Sequence, residues 1–205
     1  MHSKYVITAI VVVFAGIGVY WYFLDAGTIR NYPSQGTDII AFGDSLVAGV
    51  GATPGHDFVS LLSQQIGQPI VNLGVSGDTT ARGLMRLAEL DAYNPKVVMV
   101  LFGGNDYLQR VPQVRTFENL TEIVESIQAK GAIVLLLGVR GGLLNDHFDT
   151  EFKKLQKTRD TAYVSDVLDG ILGKQEYMSD EIHPNGTGYA RIAERVYPVL
   201  APLLK

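Results

Sequence analysis

Apolar residues along this chain fall into two rhythms that take turns. Short unbroken runs, Ile39 to Phe42, Ile70 to Leu73, Val97 to Phe102 and Ala132 to Val139, predict strands buried on both faces, and Thr161 to Val164 is a weaker fifth. Between them apolar positions return every three or four residues: Phe58, Leu61, Leu62 and Ile66; then Leu84, Leu87, Ala88 and Leu90; then Leu120, Ile123, Val124 and Ile127. That is the spacing of helices with one buried face. A last such stretch, Gly186 to Leu204, carries Tyr189, Ile192, Ala193, Val196, Tyr197 and Leu200. Strand and helix in alternation predict an α/β sandwich with a mostly parallel five-stranded sheet, because parallel neighbours need crossovers and helices supply them. In such sheets ligands gather beyond the carboxyl ends of the strands.

The front of the chain follows neither rhythm. Tyr5 to Leu24 holds no charged residue, and its length matches the ~20 residues of a membrane-spanning helix. A cleavable signal is the alternative, but its apolar region is shorter, roughly 7–15 residues, and ends in a small-residue site. Here only Leu24-Asp25-Ala26 follows, so a retained anchor is expected. Lys4 precedes the run and Asp25 follows it, which directs the remainder of the chain outward. Tyr20, Trp21 and Tyr22 suit the outer interface. The expected organisation is therefore an anchor over 1–24, a Gly/Pro/Ser-containing linker over 25–37 and one domain over 38–205.

Composition narrows the chemistry. With 205 residues, 47% of them hydrophobic, the chain suits one well-buried core. A net charge of -4 and no basic run leave no counterion-release drive for nucleic acid. The absence of cysteine excludes disulfides, thiolate nucleophiles, Cys-ligated zinc and an acylated cysteine anchor.

Four strand-end or loop segments carry candidate chemistry. The first strand ends in Gly43-Asp44-Ser45-Leu46, which puts the Ser45 hydroxyl where a turn begins. Alone, this serine reads as a helix cap. Asp180-Glu181-Ile182-His183 places a carboxylate three residues before an imidazole. Asp180 can then hold the Nδ1 proton of His183 and leave Nε2 to take a proton from serine. The second strand runs into Ser76-Gly77-Asp78-Thr79 and the third into Gly103-Gly104-Asn105-Asp106. A Gly77 backbone N–H and an Asn105 amide are the donors a developing oxyanion needs, although both segments are also good turn sequences. Singly, each segment has a plainer explanation; together on neighbouring strand ends they read as one site. His147 with Asp146 and Asp149 reads as a solvated loop, since hydrolytic zinc usually takes three protein ligands. Asp57 after His56 reads as a helix cap.

In order and spacing these segments resemble the four blocks of the GDSL/SGNH hydrolase family, over about residues 38–203. The resemblance is nearest to its bacterial extracytoplasmic thioesterase/lysophospholipase and arylesterase branch. It implies a flavodoxin-like three-layer sandwich, an acyl-enzyme on Ser45, an oxyanion hole from Ser45 N–H, Gly77 N–H and the Asn105 amide, and neither metal nor cofactor. Its substrates are small acyl esters or lipids. With the anchor, it implies a domain tethered to the inner membrane on the periplasmic side. The loop Arg140 to His147 departs from the nearest relatives where the family lines its cleft. O-acetyl groups on envelope polysaccharide are an alternative substrate, and a membrane-anchored binding module is the alternative from outside enzymology.

Overall fold

A computed structural model describes residues 29–140 and 148–205. Within them five strands form one sheet: β1 (Asp38–Gly43), β2 (Ile70–Gly74), β3 (Pro95–Leu101), β4 (Ile133–Leu137) and β5 (Ala162–Val164). Their order is β2-β1-β3-β4-β5, and every pairing is parallel. The apolar runs explain the central positions, since β3 and β4 are covered on both faces. Strand β2 is at an edge and is only half-buried.

The helices are α1 (Ser45–Ala48), α2 (Phe58–Ile66), α3 (Thr80–Met85), α4 (Gly104–Leu108), α5 (Gln113–Ala129), α6 (Phe148–Arg159) and α7 (Gly186–Leu203). Helix α2 packs against α7, while α3 and α6 pack against α5. The expected α/β arrangement is thus observed, and its strand order is that of flavodoxin-like sheets. The order reverses between β1 and β3, which opens a crevice beyond their carboxyl ends. Under it, Phe42 and Phe102 meet edge to face at 5.2 Å.

Three details differ from the sequence reading. The periodic stretch Leu84 to Leu90 is two elements, α3 and a 3-10 turn over Leu87–Ala92, parted at Arg86. Helix α6 has an apolar face of Phe148, Phe152 and Leu155, which a high content of charge concealed. The stretch read as a linker is hydrogen-bonded to the domain from Arg30 onward, beginning with its N–H on the Asp160 carbonyl at 2.8 Å. The expected membrane helix over 5–24 lies outside the described residues. Among the described residues no helix is long and apolar enough to cross a membrane.

Candidate active site

Beyond Gly43 the chain turns from β1 into α1, and the cap of that helix is Asp44, whose Oδ1 accepts the Leu46 N–H at 3.0 Å. Capping is therefore not the role of Ser45. Its hydroxyl, on a residue only 8% exposed, instead lies 3.1 Å from Nε2 of His183. On the other side of that ring, Nδ1 lies 2.7 Å from Asp180 Oδ2. An ionised carboxylate only accepts, so Nδ1 carries the proton and Nε2 is left bare toward Ser45.

Asp180 is held in its ionised form. It accepts from the His183 ring and from the backbone N–H groups of Ile182 at 2.8 Å and His183 at 2.7 Å, and these bonds hold its pKa down to about 2. The segment that presents the pair closes on itself: Met178 bridges Pro184, and the Ser179 N–H donates to the His183 carbonyl at 2.9 Å. Asn185 then caps α7 by accepting from Thr187 and Gly188. The turn after α1 leans on this segment, because any side chain at Gly51 would collide with Ser179 and the Pro184 carbonyl.

The two oxyanion candidates sit beside the Ser45 turn. The Asn105 amide donates to the Asp78 carbonyl at 3.0 Å and approaches Asp44 Oδ2 at 3.4 Å, so it spans the ends of β1 and β2. Gly77 has φ of +84°, a conformation natural to glycine, and a side chain there would meet nothing within 4 Å. Its backbone thus borders open space instead of packed atoms.

What fixes this loop was not read from the sequence. Arg86 reaches back to Asp78 at 2.5 Å and to the Leu73 carbonyl at 2.9 Å, with its guanidinium over the Phe42 ring. The fully buried Asp106 accepts the Thr80 N–H at 2.8 Å and the Thr80 hydroxyl at 2.5 Å, and Thr116 approaches at 3.4 Å. A buried carboxylate with several donors binds the β2 loop to α4 and α5. Asp106 stands in one of the segments that carried the resemblance and Thr80 directly follows another, but no local spacing pairs residues this far apart. Asp44 completes the cluster. Burial pushes its pKa up to about 7, with the nearby carboxylates of Asp106 and Asp78 adding to the rise against the Leu46 N–H.

Of the other candidates, Asp57 caps α2, as expected, by accepting from Ser60. Asp149 is in α6 and bonds Lys153 and Tyr163. Asp146 and His147 lie outside the described residues, and among those described no cluster of potential metal ligands occurs.

The order of these contacts points to a class of protein: an acceptor aimed at a strand-end hydroxyl, beside grouped amide donors, is what a serine hydrolase requires. The chain belongs to the GDSL-like lipase/acylhydrolase family, which it matches over residues 41–191. It is a carboxylic ester hydrolase. Esterase TesA of Pseudomonas aeruginosa is 34% identical over 81% of this chain and 89% of that protein. Thioesterase 1/protease 1/lysophospholipase L1 of Escherichia coli is 32% identical over 81% of this chain and 84% of that one. A crystal structure of TesA superposes with a TM-score of 0.76 at 33% identity, covering 82% of this chain and all of that one.

Proposed function

We propose that Ser45, His183 and Asp180 are the catalytic residues of this hydrolase and that the reaction is acyl transfer to water. His183 Nε2 takes the Ser45 proton as Oγ bonds the acyl carbon, and the carbonyl oxygen becomes an oxyanion facing Ser45 N–H, Gly77 N–H and the Asn105 amide. The imidazolium returns the proton to the departing alcohol or thiol. Water, activated by the same histidine, then releases the acid and restores Ser45. The unbroken chain of contacts Asp180, His183, Ser45, at 2.7 and 3.1 Å, carries this reading.

Acyl esters and thioesters are the substrate class, in keeping with the esterase and thioesterase names of the relatives. The catalytic unit is residues 38–205, and the uncharged run Tyr5 to Leu24 is a retained membrane anchor that leaves this unit outside the cytoplasm. A fluorophosphonate probe tests the chemistry: stoichiometric labelling of Ser45, lost in Ser45→Ala together with at least ~10⁴-fold of esterase activity, is expected. An unlabelled and inactive chain would return the fold to the class of anchored binding modules, and full activity in Ser45→Ala would take the nucleophile's role away from Ser45.

A further inference from the structure

The chain enters the domain at the pole opposite Ser45. Asn31 Nδ2 donates to the Gln128 and Ala132 carbonyls at 2.8 and 2.9 Å, the Ser34 hydroxyl to the Gly131 carbonyl at 2.8 Å, and the Thr37 N–H to the Asn94 carbonyl at 2.8 Å. With the Arg30 bond to Asp160, these acceptors sit at the end of α5 or just before β3, β4 and β5. Ser45, Gly77 and Asn105 follow the other ends of β1, β2 and β3. All strands run the same way, so the two groups are separated by at least the length of a strand such as β1, about 20 Å at ~3.3 Å per residue.

This separation matters if residues 5–24 are a retained anchor and Ser45 is the nucleophile, the reading on which the inference rests. From Leu24 to Arg30, the first of the described residues that is hydrogen-bonded to the domain, the backbone reaches no more than about 20 Å. The uncharged run supplies no spare length, since spanning the hydrocarbon takes ~20 residues. A domain of this size has a radius of gyration of about 15 Å, and so a diameter of about 40 Å. Laying the Ser45 pole on the bilayer that holds the chain would require the tether to climb past the strands and past the turns at both of their ends, which is more than the ~20 Å of the strands alone. The available tether, fully extended, is no longer than the strands.

We infer that the site works away from its own bilayer, on water-borne acyl esters, and does not act on lipids of the membrane in which the chain is anchored. The exposed apolar side chains of Val75, Tyr107, Leu108 and Ile182, next to the Gly77, Asn105 and His183 segments, then meet acyl groups arriving from solution.

The test uses the full chain reconstituted into phosphatidylcholine vesicles and one fluorogenic acyl ester presented in two ways. One form is free in water; the other is linked to the headgroup of a non-exchanging diacyl lipid in the same vesicles. A second protein carries about 20 inserted Gly/Ser residues between Gly27 and Thr28, enough to reach around the domain when extended. The expected result is equal rates on the free ester and a rate on the linked ester that rises at least about tenfold with the insertion. Equal rates on the linked ester in both proteins overturn the inference. Release of the chain from vesicles by alkaline washing overturns the anchor and the inference together, whereas a retained chain inert on the free ester overturns the assignment of the site.

Discussion

The turn that carries Ser45 and the segment that carries His183 meet at 3.1 Å, yet they are built in opposite ways. Asp44, Ser45, Leu46 and Val47 are all buried, and their positions are set by the core beneath β1 and β3. Between Met178, which packs against the core, and the buried Pro184, residues Ser179 to Ile182 are exposed; the Asp180 side chain is 52% exposed, and the segment holds its shape largely through bonds within itself. One half of the relay is therefore coupled to folding, and the other is coupled chiefly to its own hydrogen bonds. Damage to the first should lower stability and activity together, and damage to the second should lower activity alone.

Asp180→Asn is the sharpest probe of the exposed half. The amide can keep the bonds from Ile182 and His183 N–H, but it presents N–H to Nδ1, so the ring takes the other tautomer and Nε2 can no longer accept from Ser45. Turnover should fall by about 10²–10⁴ with the melting temperature unchanged; a matching loss of melting temperature would show the two halves to be equally tied to the fold. Because the Asp180 pKa is held down to about 2, the contribution it makes to stability, kept small by solvent around so exposed a side chain, is present above the ordinary carboxylate pKa and is lost only as pH falls through about 2. Asn105→Ala comes next, at about 10²–10³ in turnover with little change in KM, measured by steady-state ester hydrolysis.

The buried half should respond in stability. Asp106→Ala strands the Thr80 N–H and two hydroxyls in the core and should cost about 3 kcal/mol, read by denaturant unfolding, with activity falling as the Gly77 loop loosens. Unchanged stability would break the comparison. The smallest effect is expected from Asp44→Asn. The folded protein retains the Asp44 proton up to about pH 7, whereas an unfolded chain releases it near 3.8. That contribution to stability is complete below the lower value and is lost as pH rises through the higher one. Asparagine carries no charge to bury, so the decline in melting temperature between pH 5 and pH 8 should be shallower in the variant, by an amount equivalent to ~2–3 kcal/mol.

The sequence was most legible where a local pattern suffices. Ile39 to Phe42 and Val97 to Phe102 mark β1 and β3 to within two residues at either end, since runs buried on both faces leave no polar positions to blur them. Gly43-Asp44-Ser45 and Asp180-x-x-His183 are legible because their chemistry is packed into a few consecutive residues. The identity of the cap was not legible: Asp44 and Ser45 are equally able to close α1, and only the three-dimensional approach of His183 separates them. The Thr80–Asp106 and Arg86–Asp78 links escaped because they join elements that the fold, not the spacing, brings together. Helix α6 escaped for a different reason: Phe148, Phe152 and Leu155 keep helical spacing, but the charged residues between them resemble a solvated loop.

Asp44 taking the cap has a bearing on how such a site changes over evolutionary time. Since the neighbouring carboxyl closes α1, no hydrogen bond of that helix depends on the side chain at position 45. The Ser45 hydroxyl sits in a socket that the scaffold supports without using it. Chemistry at that position is thereby open to exchange, by drift or by design, with a freedom that the residue immediately before it does not share.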